Sequence, residues 1–123
     1  MHPSSDTVAA WRLRAAQNLR AATLLAARQP PLLHPAVSRI YYACYQATCA
    51  GLAAKGVGFG HTHGETWRAA NHLRVGLGTR LRRLYPWRLA ADYATRSLPP
   101  DHARNLVARY AELVRELGIT EPS

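Results

Sequence analysis

Acid is scarce in this sequence: seven Asp and Glu stand against sixteen Lys and Arg, which leaves a formal charge of +9. Lysine is scarcer still, since Lys55 is the only one and the other fifteen cations are arginines. GC-rich coding produces such a bias without selection for function, but arginine also grips phosphate bidentately where lysine offers a point charge. The field of such a chain attracts polyanions: RNA, DNA, acidic protein surfaces or anionic lipid. Cysteine is limited to Cys44 and Cys49. Five residues apart on one predicted helix, they lie about 140° apart around its axis and cannot pair within it. Reduced core thiols are the expectation.

Long apolar runs are absent too. The longest uncharged stretch, Ile40 to Ala54, is broken by Tyr, Gln and Thr and is shorter than a membrane span requires, so it reads as a buried helix and no membrane partner is expected. No N-terminal segment joins a basic start to an apolar stretch and a small-residue cleavage site, so a cytoplasmic location is expected. Strict alternation of apolar and polar residues is missing, which argues against a half-buried sheet. No Ser-His-Asp grouping, phosphate-binding Gly-Lys loop or acidic metal pair is present.

What is present is helical spacing. A first helix is predicted from Asp6, as N-cap, to Arg28, with Val8, Trp11, Ala15, Leu19, Ala22 and Ala26 inward and Arg14, Gln17 and Arg28 outward. "QPP" stops it. A second starts at Pro35, buries Val37, Ile40, Tyr41, Cys44, Thr48 and Leu52, and ends at Lys55-Gly56. Its small residues Ala43, Ala47, Ala50 and Gly51 allow close neighbours, marking it as the central helix. "GVGFGHTHG" is a loop, and a third helix is predicted over Glu65 to Val75. A fourth runs from Thr79 to about Ser97, with Pro86 expected to kink or interrupt it. The last, after "LPPD", turns Ala103, Leu106, Val107, Tyr110, Val114 and Leu117 inward and closes at Gly118. One domain over 1–123 follows, an all-α, antiparallel four- to five-helix bundle of up-and-down topology.

Several residues could carry chemistry. Arg88 and Asp92 fall four apart on one helical face, followed by Tyr93, and form either a structural ion pair extended by Arg96 or a phosphate ligand oriented by its carboxylate. "RVGLGTRLRRLYPWR" carries Arg74, Arg80, Arg82, Arg83 and Arg88 with Tyr85 and Trp87 between them. It is a solvated basic face or a surface for single-stranded RNA, where bases stack on aromatics and phosphates pair with arginine. "HTHGE" sets His61, His63 and Glu65 near His72, but alternate spacing in a Gly-rich loop is a weak metal pattern, and no metal is expected.

"SRIYYACYQATCAGLAAKG", Ser38 to Gly56, resembles the second-helix signature of HEPN domains, Ser-Arg followed by Tyr-Tyr-Ala, an aromatic and small residues. Arg39, Tyr42 and, in the His63-Gly64 pair before the third helix, His63 occupy motif positions of that family. Arg88, Ala91, Asp92 and Tyr93 follow in the same order, and the resemblance spans roughly residues 12 to 117. It implies a small helical bundle that forms a homodimer, often beside a minimal nucleotidyltransferase in toxin-antitoxin pairs. Such domains act as metal-independent ribonucleases or as RNA- or nucleotide-binding modules, with no cofactor. Nuclease members carry Arg, four to six residues, then His, the Arg holding the scissile phosphate and the His moving the proton of a 2′-hydroxyl.

Here the histidine is missing after Arg88. A carboxylate paired with arginine holds its charge and donates poorly, and a tyrosine hydroxyl is a poor base near neutrality, so Asp92 and Tyr93 are weak substitutes. The expectation is binding with degenerate or no catalysis, through Arg88 and Trp87 with the preceding arginines. Arg96 and His102 offer a second match to the nuclease spacing, but the prolines of "SLPPD" are expected to put them on different helices. A non-catalytic subunit docking an acidic protein is the remaining alternative.

Overall fold

The computed structural model describes residues 5–94 and 96–121. Five helices and no strand occur among them: α1 Ser5–Ala27, α2 Leu33–Ala54, α3 His63–Ala70, α4 Leu77–Tyr93 and α5 Pro100–Glu116. The chain is an all-α bundle, and no helix is long and apolar enough to cross a membrane.

Helix α2 lies at the centre because it is apolar on more than one side. Ala36, Val37, Ile40, Tyr41, Ala43, Cys44, Ala47, Thr48 and Leu52 are all buried, and the alanines let neighbouring backbones come close. Burying so many apolar side chains supplies the main drive for folding, on the order of 1.5–3 kcal/mol for each large aliphatic or aromatic. Thr48, polar and buried, satisfies its hydroxyl on the Cys44 carbonyl one turn back, 2.8 Å away. Both cysteines are free and buried, and burial raises the Cys49 thiol to about 12, so both are inert packing groups.

Cross-links between helices fix their directions. At one end of the bundle Arg12 of α1 donates to the Gly118 carbonyl just beyond α5 (2.6 Å), and Trp11 meets Phe59 beyond the end of α2. Tyr110 of α5 donates to the Arg80 carbonyl near the start of α4, while Trp87 near the end of α4 meets His102 at the start of α5. The long helices therefore alternate in direction, as short connections dictate. Gly118 closes α5 with φ 89°, a left-handed turn that glycine adopts without steric cost.

Several boundaries differ from the sequence expectation. Asp6 lies inside the first turn of α1 instead of capping it, where its charge still opposes the helix dipole. Helix α2 starts at Leu33, two residues ahead of Pro35, and α3 is shorter than the periodicity suggested. Its N-cap is Thr62, whose hydroxyl accepts from the Glu65 N–H (3.1 Å), and after Ala70 the chain turns to bring Leu73 against α2. Helix α4 runs unbroken through Pro86. Both Pro86 and Arg82 four residues before it are exposed, so the carbonyl deprived of its donor faces water. Ala94, in the left-handed region at φ 52°, ends the helix before Ser97.

Candidate functional site

The face shared by α2, α3 and α4 collects tyrosines, a histidine and one arginine. Tyr41 and Tyr42 are neighbours on α2 with Tyr45 one turn on, His63 and Trp67 come from one side of α3, and Tyr85 and Arg88 from α4. Tyr41 and Tyr45 stack at 6.1 Å, while most rings of this set meet edge-on or tilted, with centroids 4.7 Å apart for Tyr45 and His63, 5.2 Å for His63 and Tyr85, and 5.1 Å for Trp67 and Tyr85. Such geometry places the positive edge of one ring on the face of the next.

Arg88 sits in the wall of this cluster. Its Nη2 donates to the Tyr42 hydroxyl (2.5 Å), and its guanidinium stands 5.1 Å from the centroid of Tyr42 and 5.7 Å from that of Tyr85. Nε lies 3.0 Å from Asp92 Oδ2, one helical turn on. The contact is one of charge, because the Nε–H is not aligned on that oxygen and remains a buried donor with no acceptor. Burial works against the positive charge, but Tyr42 and Asp92 outweigh it, and the pKa of Arg88 is raised. With side chains 13% and 27% exposed, Arg88 and Asp92 form neither a surface pair nor a fully buried one.

His63 completes a hydrogen-bonded chain. Trp67 Nε1 donates to the Tyr41 hydroxyl (3.3 Å), and that hydroxyl lies 2.5 Å from His63 Nδ1. Indole only donates, so the Tyr41 hydroxyl accepts from Trp67, while donor and acceptor in its contact with His63 Nδ1 follow the tautomer of the ring. Burial first, and then the charge of Arg88, lower the His63 pKa and hold the ring neutral. Tyr41 is pushed well above the ordinary tyrosine value by its burial. The site thus sets a guanidinium beside a neutral imidazole, and the cation suits an acceptor-rich anion.

The other expected residues scatter. Tyr93 ends α4 and is 66% exposed; Arg39 is exposed on α2. Arg74 is paired with Glu116 (2.7 Å), and Arg80 lies over the ring of Tyr110. Arg82 and Arg83 are exposed. At about 100° per residue, Arg80, Arg82, Arg83 and Arg88 point around the whole circumference of α4, so the basic run does not form one continuous face. Trp87 belongs to a separate cluster: the Arg96 guanidinium stacks 3.9 Å above its ring, and His102 meets it edge-on at 4.4 Å. The prolines do place His102 on α5 and Arg96 in the connection before it, yet both return to one indole. His102 Nε2 is buried with no hydrogen-bond partner.

Among the described residues no three His, Cys, Asp or Glu side chains converge as metal ligands would. Glu65 is turned to Thr62, and His63 to Tyr41. Sequence reasoning missed Tyr41, Tyr45 and Trp67 as members of the cluster around His63, although their one-turn spacing on α2 and α3 was a usable signal. No protein-family model, no curated protein and no solved structure matches the chain.

Proposed function

We propose that this chain is a HEPN-type protein that binds RNA or a nucleotide through Arg88, without effective catalysis, as a cytoplasmic homodimer working beside a nucleotidyltransferase in a toxin-antitoxin-like pair. The observation that carries the binding is the state of Arg88: a cation fixed by Tyr42 and Asp92 in the wall of an aromatic cluster, with one of its five N–H groups spent on Tyr42. Its remaining terminal N–H groups suit a phosphate oxygen. His63, kept neutral by burial and by the charge of Arg88, stands on the same face. The HEPN assignment rests on the Ser38 to Gly56 signature with His63 and the Arg88 to Tyr93 run in order. The homodimer rests on Leu13 and Leu24, which are 56% and 55% exposed on one side of α1.

Filter binding of a single-stranded RNA at low salt tests this reading. Arg88→Ala abolishes retention while the far-ultraviolet spectrum stays helical, and wild-type affinity falls steeply with added salt as counterions are released. A folded Arg88→Ala variant that binds as tightly as wild type refutes it.

A second reading, an active metal-independent ribonuclease, is favoured by one observation: Arg96 and His102 share Trp87, with His102 Nε2 unpartnered. Cleavage that survives Arg88→Ala and is lost in His102→Ala moves the site there. Tight binding of an acidic protein without RNA binding selects the docking alternative.

A further inference from the structure

A second groove lies between α3 and α4 and includes Trp67 in its wall. It is lined by Gly64, Trp67, Arg68, Asn71, Thr79 and Arg82 and encloses about 370 Å³. That is within the range of roughly 300–1,000 Å³ typical of small-ligand sites, enough for a mononucleotide and too little for a folded partner.

Its chemistry is one-sided. Arg68 and Arg82 are exposed, and the ion pairs among the described residues engage Arg74, Arg88, Arg104 and Arg115 instead. No acid lines the groove. Asn71 spends its carbonyl oxygen on the Gly78 N–H (3.3 Å), which leaves its amide NH₂ as a donor. Thr79 adds a hydroxyl. Two unneutralised guanidinium groups and an amide donor around one cavity call for a multiply charged acceptor, and phosphate, which arginine grips bidentately and which accepts from several directions, fits them.

The two helices that flank the groove are in close contact. A Cβ on Gly78 would lie 2.0 Å from the Trp67 carbonyl oxygen, so α3 and α4 touch backbone to backbone. Arg68 and Arg82 therefore project from two helices locked at a fixed separation, which spares a ligand part of the ordering cost of binding.

We propose that the α3–α4 groove is a phosphate-binding site of mononucleotide size in which Arg68 and Arg82 clamp the phosphate. The nucleotide character of the ligand rests on the RNA- or nucleotide-binding reading above; the anion site does not use Arg88. Trp67 forms the apolar wall of the groove and, through Tyr41, the first link of the chain to His63.

Calorimetric titration of the full chain at low salt with pyrophosphate, AMP, and one RNA oligonucleotide with and without a 5′-phosphate tests the site. The expected result, read in an Arg88→Ala background so that only the groove contributes, is one pyrophosphate or AMP per chain, weakened about tenfold or more by Arg68→Ala or Arg82→Ala and lost when both are replaced. Gly64→Leu, whose Cβ meets nothing within 4 Å, blocks the groove in a folded protein. Arg88→Ala leaves pyrophosphate and AMP binding intact. An oligonucleotide gain that depends on the 5′-phosphate and on Arg68 and Arg82 marks an RNA end as the source; AMP binding without that gain marks a free nucleotide. Pyrophosphate and AMP binding unchanged when both are replaced in that background, or undetectable in wild type, overturns the groove, and RNA retention through Arg88 in the wild-type chain would leave the proposed function standing. Groove binding with no oligonucleotide bound at all sustains the groove and overturns the RNA reading.

Discussion

Removing Arg88 tests how the cluster is held together as well as what it binds. Arg88→Ala deletes the hydrogen bond to Tyr42, the contacts over two rings and the charge facing Asp92. A hydrogen bond from a charged donor contributes about 1.5–3 kcal/mol, and a partly exposed cation over a ring roughly 0.5–1. Part of this returns, because Asp92, at 27% exposure, rehydrates once its partner is gone. A net loss of about 2–3 kcal/mol follows, well below the sum of the parts and near the lower edge of the cost of breaking a buried pair. For a chain of this length each kcal/mol moves the midpoint by roughly 4 °C, so the variant should melt about 8–12 °C early and remain folded at room temperature. Thermal unfolding followed by circular dichroism reads the shift. A double-mutant cycle with Tyr42→Phe isolates the hydroxyl contact, with a coupling of about 1 kcal/mol expected. A midpoint within 2 °C of wild type, or zero coupling to Tyr42 (roughly below 0.3 kcal/mol), would mean that Arg88 is not fixed by these partners and would remove the argument for a pre-set guanidinium.

Other outcomes follow from the same geometry. Gly78→Ala forces a methyl against the Trp67 backbone and should cost more than about 2 kcal/mol in urea unfolding, while Gly64→Ala, facing open space, should be neutral or stabilise by about 0.5–1 kcal/mol. For His63, the folded pKa is lowered while the unfolded ring takes its proton near about 6.5, so the unfolded state binds more protons in between. Stability is complete above that window and falls as pH drops through it; midpoints at pH 7.5 and 5.5 should differ less in His63→Gln than in wild type, and an unchanged difference refutes the role. Leu13→Glu with Leu24→Glu should convert the expected dimer to a monomer by sedimentation equilibrium, and a wild type that is monomeric at every concentration counts against assembly.

The cluster around Arg88 was partly legible in the sequence. Arg88 with Asp92 is a local fact, since four residues make one helical turn, and Tyr42 was marked by its motif position. That Arg88 donates to Tyr42, 46 residues away, required α2 and α4 to run in opposite directions at a particular register. The missing histidine after Arg88 was correctly seen, but His63 reaches the same face from another helix, which no spacing along the chain announces. Arg68 went unnoticed because it stands outside the basic run, while that run, compact in sequence, is dispersed around α4.

By itself the sequence determined the all-helical class, the central place of α2 and the inward faces of α1 and α5. These follow from the 3.6-residue period and from burial, which act on neighbours along one helix. Tertiary structure alone decided which charges remain free and which donors remain unsatisfied. Arg74 is neutralised by Glu116 and Arg80 is laid over Tyr110, whereas Arg68 and Arg82 are left facing one groove and the Arg88 Nε–H is left without an acceptor. Charge composition sums over the whole chain, but recognition depends on distances of a few ångströms between side chains from different helices, and only packing sets those distances.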